Sequence, residues 1–270
     1  MSGMSELRIE SWEDAQKILF EGSWVPSIHR FRSPYAFRGV SKSSYRLETT
    51  LVRLGANDPE WVPEMEKHLL RNFRKYAYRN AVERDSIWHW LALAQHHGLA
   101  TRMLDWTYSP NVALHFATES LEHFAEDGAV WMVDMREVGH YLPKVFVDEL
   151  KLTRAFSLAA EALSRLVPSL EDLERWESPG TDGFVFFFEP PSIDDRIINQ
   201  YGLFSVTSRP GATLEPWLAK RPGLWKKVIV AASAKWEIRD KLDQLNSNER
   251  VFFPGLDGLS TWLNRSYFKR

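Results

Sequence analysis

The sequence predicts an α+β fold, in which a curved and mostly antiparallel sheet packs against helices. Several apolar segments of strand length are separated by helical segments, without the regular strand–helix–strand repetition typical of a parallel sheet. No glycine-rich loop of the dinucleotide-binding or phosphate-binding type follows a predicted strand, which disfavours a doubly wound nucleotide-binding fold. At 270 residues the chain is long enough to bury a sizeable core of its own.

The elements follow from local patterns. An N-cap signal at Ser11 predicts a packing helix over about 11–21. Ser86 and Gly98 predict the ends of another helix, and its apolar residues point all round, so we expect it to be buried on most sides. Further helices are predicted at 59–84, 109–117, 233–246 and 256–270. Strands are predicted at 35–40, 101–107, 129–134, 183–189, 203–207 and 227–232.

A helical insert over about 144–176 separates two of these strands. No long linker, low-complexity tract or internal repeat interrupts the chain. The sequence therefore predicts a single domain over 1–270.

Composition excludes several classes of protein. The chain has no cysteine, which rules out disulfides, thiolate metal sites, iron–sulfur clusters and a cysteine nucleophile. Its 34 basic and 36 acidic residues give a formal net charge of −2, unlike a strongly basic nucleic-acid-binding domain. No apolar run approaches the roughly 20 residues of a membrane span, and residues 1–6 lack the pattern of a secretory signal. We expect a cytoplasmic protein without membrane partners.

Five blocks of sequence resemble the signature of the FRG domain family. They are Phe37-Arg38-Gly39, QHHGLATRMLDWT at 95–107, NVALHFA at 111–117, RIINQYGLF at 196–204 and FPGLDG at 253–258. The resemblance covers about 30–265, nearly the whole chain. The family name by itself assigns no reaction.

A second, weaker resemblance is to mono-ADP-ribosyltransferases. Phe37-Arg38-Gly39 is similar to the first-strand motif of that fold, and Thr107 ends a strand that runs into a helix, as in the second motif. Gln200 stands just before a later strand, where those enzymes carry a Glu. The resemblance implies an ADP-ribosyltransferase-like sheet, NAD as substrate and no metal. It also implies a catalytic trio of Arg38, Thr107 and Gln200.

The same resemblance implies roles for particular side chains. Arg38 would hold the pyrophosphate through its planar donor fork, and Thr107 would bind the nicotinamide ribose or buttress Arg38. An aromatic side chain would stack on the nicotinamide ring. The implied NAD-binding set is Phe37, Arg38, Gly39, Tyr45, Asp105, Trp106 and Tyr108.

The third position of the trio stays open. A Gln can hydrogen-bond a ribose hydroxyl, but its amide cannot serve as a carboxylate base. Asp105, Glu189 and Asp195 are the nearest carboxylates in sequence that would replace the missing Glu. Spacing does not choose among them.

The favoured function is transfer of ADP-ribose from NAD to RNA, DNA or protein, in a toxin or antiphage effector controlled by an antitoxin or regulatory protein. One alternative is a non-catalytic binding module, in which Arg38 is structural and pairs with a carboxylate such as Asp105. Another is a metal-dependent hydrolase or nuclease that uses His96, His97 and Asp105. Basic clusters at 71–79 and 220–227 are typical of a solvated face or of a groove for a nucleic-acid acceptor.

Overall fold

The protein is described by a computed structural model that covers residues 7–77, 82–177, 180–192 and 194–268. Its central feature is an eight-stranded open sheet in the order β1-β10-β6-β4-β5-β9-β8-β7, and β2 and β3 form a separate two-stranded hairpin. The strands are β1 (Leu7–Ile9), β2 (Trp24–Val25), β3 (Arg30–Phe31), β4 (Tyr35–Val40), β5 (Met103–Thr107), β6 (Gly128–Asp134), β7 (Leu158–Ala159), β8 (Val185–Glu189), β9 (Gly202–Thr207) and β10 (Trp225–Val230).

Most neighbouring strands of the large sheet run antiparallel. Only the two outermost pairs, β1 with β10 and β7 with β8, are parallel. Helices cover the sheet and its ends. The structure therefore confirms the predicted α+β class and the mostly antiparallel sheet.

The helices in chain order are α1 (Trp12–Leu19), α2 (Thr50–Leu54), α3 (Val62–Tyr76), α4 (Ile87–His96), α5 (Pro110–Ala117), α6 (Met135–Val138), α7 (Lys144–Thr153), α8 (Ala160–Leu166), α9 (Asp172–Arg175), α10 (Asp195–Asn199), α11 (Leu214–Ala219), α12 (Lys235–Gln244), α13 (Glu249–Phe252) and α14 (Leu256–Ser266). Caps set several of these ends. Ser11, Ser86 and Ser109 each accept a backbone hydrogen bond at a helix start.

Two helical predictions need correction. The helix predicted over 59–84 ends at Tyr76, because Ala77 takes an extended conformation, and residues 82–84 are not helical; residues 78–81 lie outside the described part. The insert over 144–176 holds α7, α8 and α9, but it also contributes β7 at the sheet edge. A strand of two residues is too short to show a period in sequence.

The apolar core lies on both faces of the sheet. Along β4, Ala36 and Val40 pack on one face, whereas Phe37 packs on the other face against α1, α5 and α12. Helix α4 is buried along most of its length, as predicted, and Trp88 and Leu91 on it have no exposed surface. Trp88 packs edge-on against Phe186 and Phe188 of β8.

No helix within the described residues is long and apolar enough to cross a bilayer.

Candidate functional site

One cavity lies where the sheet separates between β4 and β5. These two strands pair at a single position, Phe37 with Thr107, whereas β4 pairs with β6 along six residues and β5 with β9 along five. A continued ladder would bring Gly39 opposite Asp105, but the strands diverge there instead. A cavity of about 340 Å³ opens beside this gap. It is lined by parts of β4, β5 and β9 and by the adjoining ends of α4, α5 and α10.

Arg38 reaches across the gap. Its Nη1 donates to the carbonyl oxygen of Asp105 at 2.6 Å and lies 3.9 Å from the Asp105 carboxylate. Its Nε is buried and has no partner among the described residues. Burial lowers the pKa of Arg38, and the charge of Asp105 opposes this shift. A guanidinium stays protonated at the pH of a cell, so Arg38 brings a positive charge to the cavity lining.

Asp105 lines the cavity, and a hydrogen bond fixes the position of its carboxylate. Gln95, at the end of α4, donates from Nε2 to Asp105 Oδ2 at 3.0 Å and accepts from the hydroxyl of Thr101 at 2.5 Å. The Asp105 side chain is nonetheless 62% exposed. The predicted partnership between Arg38 and Asp105 is present, mainly through the backbone carbonyl.

Thr107 joins two segments of the cavity wall. Its hydroxyl donates to the backbone oxygen of Gln200 at 2.7 Å and accepts from the backbone N–H of Ser109 at 3.0 Å. Gln200 in turn donates from Nε2 to the carbonyl of Phe252 at 3.0 Å. The predicted trio of Arg38, Thr107 and Gln200 thus meets on one cavity. Among the described residues, no hydrogen bond joins Thr107 to Arg38, so both roles that the resemblance implies for Thr107 stay predictions.

Glu119, just beyond α5, is a carboxylate of this cavity that sequence reasoning missed. Of the described residues that line the cavity, the carboxylates are Asp105 and Glu119. The walls desolvate Glu119 and raise its pKa to about 7, against the opposing charges of Arg239, Arg196 and Arg38, although 41% of its side-chain surface stays open. A carboxyl group with a pKa near neutrality is suited to exchange protons at the pH of a cell.

His115 lies behind Glu119 and is completely buried. A guanidinium only donates, so the 2.8 Å contact from Arg239 Nη1 makes His115 Nδ1 an acceptor and leaves the proton on Nε2. That Nε2 has no hydrogen-bond partner among the described residues and lies 3.7 Å from Glu119 Oε2. Burial and the charge of Arg239 hold the pKa of His115 well below its usual value. The imidazole is therefore neutral and presents its N–H toward Glu119.

A buried ionic network supports this pair from behind. Arg239 lies 3.3 Å from Glu249, and Arg265 donates to Glu249 at 2.7 and 2.8 Å and also binds Asp243. Burial alone would raise the pKa of Glu249, but the hydrogen bonds from Arg265 and the charge of Arg239 lower it to about 2. The network joins α12, α13 and α14 to the end of α5.

Two further side chains line the cavity at α4 and α10. The guanidinium of Arg196 lies 4.9 Å from the ring centre of Phe253. His96 Nε2 lies 2.5 Å from Asp194 Oδ2, and burial lowers the pKa of His96 while the charge of Asp194 opposes the shift. Arg38 and Arg196 thus give the cavity two cationic groups.

The aromatic residues predicted to stack on nicotinamide differ in position. Tyr45 lines the cavity and is 44% exposed. Trp106 lines it too, but it is 4% exposed and donates to Ser205 at 2.8 Å, which makes it mainly a core residue. Tyr108, just past the end of β5, lies in a neighbouring groove. Phe37 and Gly39, also in the predicted set, form part of the cavity wall.

The other two predicted carboxylates lie away from the cavity lining. Glu189 faces the neighbouring groove and accepts hydrogen bonds from Tyr108 at 2.6 Å and Ser157 at 3.0 Å. Burial and the hydrogen bond to Glu189 raise the pKa of the Tyr108 hydroxyl, and its hydrogen bond with Ser157 opposes the shift. Asp195 is an exposed residue at the start of α10.

The residues of the metal-site alternative have other partners. His96 is paired with Asp194, and Asp105 is held by Gln95. His97 contacts the ring of His96 edge-on. Within the described residues, no group of three or more His, Asp or Glu side chains is arranged to hold a metal ion.

Comparison with known proteins identifies part of the chain. A family model of the FRG domain matches residues 33–126. The match confirms the resemblance for this stretch, which includes β4, β5, α4 and α5. The signature blocks at 196–204 and 253–258 lie outside the matched residues. No curated protein and no solved structure matches the chain, so the resemblance to ADP-ribosyltransferases stays a hypothesis.

Proposed function

We propose that the chain is an NAD-dependent ADP-ribosyltransferase that acts on a macromolecular acceptor. The observation that carries the proposal is the presence of Arg38 and Glu119 on one cavity, close enough for the charge of each to shift the pKa of the other. A cavity of about 340 Å³ is in the size range of small-ligand sites. An arginine can bind the pyrophosphate of NAD, and a carboxylate can stabilise the positive charge that develops on the ribose.

The arginines would bind the pyrophosphate of NAD. Arg38 has a buried Nε without a partner among the described residues, and Arg196 lies on the same cavity with its guanidinium against Phe253. A guanidinium matches the geometry of phosphate oxygens through parallel N–H donors. The amide groups of Gln95 and Gln200 supply donors and acceptors for the ribose hydroxyls and the nicotinamide amide.

In the reaction, the bond between nicotinamide and ribose C1′ breaks, and nicotinamide leaves with the bonding electrons as a neutral molecule. The positive charge that develops on the ribose is stabilised by the Glu119 carboxylate. The acceptor then forms a bond to C1′ through an oxygen or nitrogen atom and gives up its proton to Glu119. The products are ADP-ribosylated acceptor, nicotinamide and one proton.

We therefore assign to Glu119 the role that a catalytic Glu has in ADP-ribosyltransferases, the role for which the sequence offers Gln200. Glu119 lines the cavity. The neutral His115 lies behind it and presents its Nε2–H toward the carboxyl group. Gln200 and Thr107 would position the substrate and the wall of the site. Since the pKa of Glu119 is about 7, the transfer rate should rise as the pH passes through neutrality.

The cellular setting is also part of the proposal. A chain without cysteine suits the reducing cytoplasm. A transferase that modifies macromolecules of its own cell would act as a toxin or antiphage effector, and it would need an antitoxin or regulatory protein to control it.

Thermal unfolding with NAD and, separately, with ADP-ribose tests the proposal. A ligand at 100 times its dissociation constant stabilises the folded state by about 2.7 kcal/mol, which raises the melting temperature measurably. We expect Arg38→Ala to lose this shift while its own melting temperature stays within a few degrees of the parent. Glu119→Gln should keep the NAD shift and lose transfer of labelled ADP-ribose. Arg71→Ala, on the exposed face of α3, is the matched control.

A second candidate, a non-catalytic binding module, is favoured by one observation: the contact from Arg38 to the Asp105 carbonyl is already structural. In that case Arg38→Ala should lower the free energy of unfolding by about 1–3 kcal/mol, because the Asp105 carbonyl oxygen loses its donor. Absence of a shift with either ligand, together with absence of label transfer, would reject the transferase.

A further inference from the structure

An open groove of about 990 Å³ lies beside the cavity. We call it the hairpin groove, because the β2–β3 hairpin forms one of its walls; the end of α7, the end of β8 and α10 form others. It shares Pro190, Ile197 and Gly202 with the lining of the cavity. A molecule bound in the hairpin groove would therefore lie against a wall that the groove shares with the cavity.

Aromatic side chains stand exposed along this groove. Trp24 is 46% exposed, Phe156 is 47% exposed and Tyr201 is 61% exposed. Trp24 is braced by Phe31 and Tyr201 by Tyr108, each with ring centres 5.0 Å apart. Rings that are held by neighbours but open on one face are suited to stack on a flat ligand.

The charged residues of the lining are Arg32, Arg136, Arg154 and Glu189. Arg136 is paired with Asp134 and Glu137. Arg32 and Arg154 are exposed and form no ion pair with any residue that the structure describes. Glu189 is held by Tyr108 and Ser157. The groove thus has a positive excess on its lining.

The basic clusters that the sequence highlights differ from this groove. In the cluster at 71–79, Arg74 is paired with Asp85. In the cluster at 220–227, Lys220 is paired with Asp182 and Lys226 with Glu21. Pairing offsets much of the charge that a phosphate backbone would meet there.

Two groove residues have backbones in the left-handed region. Tyr201 has φ of 49° and Arg154 has φ of 53°. Arg154 caps the end of α7 and Tyr201 follows the end of α10, and a left-handed residue is a common way for a helix to end. The two residues place one aromatic ring and one guanidinium on the lining of the same groove.

We propose that the hairpin groove binds a single-stranded nucleic acid and presents it to the cavity as the acceptor. Bases would stack on Trp24, Phe156 and Tyr201, and Arg32 and Arg154 would contact phosphates. Glu189 would accept a hydrogen bond from the amino group of a base. The role as acceptor rests on the proposed transferase function, whereas binding in the groove does not.

Fluorescence anisotropy without NAD tests binding on its own. The probes are labelled 12-nucleotide single-stranded RNA and DNA of mixed sequence and a DNA duplex of the same length, each titrated at several salt concentrations. We expect single strands to bind more tightly than the duplex, with affinity that falls as salt rises. The RNA and DNA arms decide which of the two strands is preferred.

Variants of exposed residues locate the binding site. Trp24→Ala and Tyr201→Gly should each weaken binding by roughly tenfold, and glycine also suits the left-handed backbone at position 201. Arg32→Gln and Arg154→Asn should each reduce the slope of log affinity against log salt by about 0.7; asparagine tolerates the backbone at position 154. Arg71→Gln on α3 is the control and should change neither quantity.

Equal binding of duplex and single strand, or groove variants that bind like the parent, would overturn the proposal. An acidic peptide that displaces the single strand completely from the groove and binds more tightly would assign the surface to a protein partner instead. Arg38→Ala should keep single-strand binding. If NAD gives no thermal shift while the groove still binds single strands, the transferase proposal fails and the binding proposal stands. If NAD gives a thermal shift and single strands do not bind, the binding proposal fails and the transferase proposal stands.

Discussion

Arg38 Nη1 lies 2.6 Å from the carbonyl oxygen of Asp105, at the level where β4 and β5 stop pairing. In a continued sheet that carbonyl would accept from a backbone N–H of the neighbouring strand. The guanidinium of Arg38 satisfies it instead, so the sheet opens without leaving this oxygen unpaired. One side chain thereby closes a gap in the ladder and forms part of the cavity that the gap creates.

Gly39, the last residue of the Phe-Arg-Gly motif, permits α5 to lie close to β4. A Cβ atom at this position would be 1.8 Å from the carbonyl oxygen of Ala113. We expect Gly39→Ala to lower the free energy of unfolding by about 1–3 kcal/mol or more, because backbone must move to make room. Urea denaturation measures the change. Gly139→Ala, where a Cβ meets nothing within 4 Å, should be neutral or slightly stabilising; equal losses in both variants would refute the explanation.

Thr107 should act through its hydroxyl rather than its shape. Thr107→Val removes the donor to Gln200 and the acceptor for Ser109 at a buried position. We expect a loss of about 1–3 kcal/mol in unfolding free energy, since two backbone groups lose a partner. Thr107→Ser keeps the hydroxyl and should retain most of that stability. Thermal and urea denaturation compare the pair, and a serine variant as unstable as the valine variant would contradict this role.

His115 should make stability depend on pH. Its pKa is far below 6.5 in the folded protein, so below pH 6.5 the unfolded chain binds a proton that the folded chain does not, and stability falls as pH falls. The slope from one such group is at most about 1.4 kcal/mol per pH unit. Glu249 acts in the same direction at lower pH, from its unfolded pKa near 4.5 down to about 2.

The raised pKa of Glu119 acts in the opposite direction, because the folded state then holds the extra proton between pH 4.5 and 7. The His115 effect is therefore measured in a Glu119→Gln background. His115→Asn keeps a side-chain acceptor for Arg239 and should reduce the slope between pH 6.5 and 5. The rest of the slope comes from His89 and His96, whose pKa values burial also lowers. Urea denaturation at several pH values gives this slope. An unchanged slope would mean that His115 is protonated in the folded protein.

Arg102 and Glu66 form a buried ion pair that ties β5 to α3. Arg102 donates to both carboxylate oxygens of Glu66 and to the carbonyl of Ser208 at 2.9 Å, and both side chains are almost fully buried. We expect Glu66→Gln to lower the free energy of unfolding by about 3–5 kcal/mol, because it leaves a buried guanidinium without its charge partner. Glu64→Gln breaks an exposed pair with Lys67 on the same helix and should cost less than about 1 kcal/mol. Chemical denaturation compares the two.

Local patterns were sufficient for much of the fold. Strand β4 spans the predicted 35–40, and α4 runs between the predicted Ser86 cap and Gly98. Caps and the alternation of apolar residues act within a few positions, so they can be read directly from sequence. Strand β7 was missed because its two residues are extended only through pairing with β8.

The candidate site was predictable only in part. Arg38, Thr107 and Gln200 meet on one cavity, as their order in the chain indicates. Glu119 was missed because its raised pKa arises mainly from burial by segments that are distant in sequence, whereas the charges of Arg239, Arg196 and Arg38 oppose the rise. Its one sequence signal is a carboxylate four residues after His115, the spacing that places both on one helical face. Tyr108 lies just past the strand end that the sequence predicts, where the direction of a side chain depends on the turn that follows, and it lines the neighbouring groove.

The single ladder pair between β4 and β5 also has a mechanical meaning. On one side, β1, β10, β6 and β4 are joined by long runs of hydrogen bonds, and on the other side β5, β9 and β8 are joined in the same way. The sheet therefore has two halves, each with extensive internal hydrogen bonding, that are joined by the single pair of Phe37 and Thr107. We expect bending of the sheet to concentrate at this pair, so the cavity beside it will widen or narrow with the angle between the two halves.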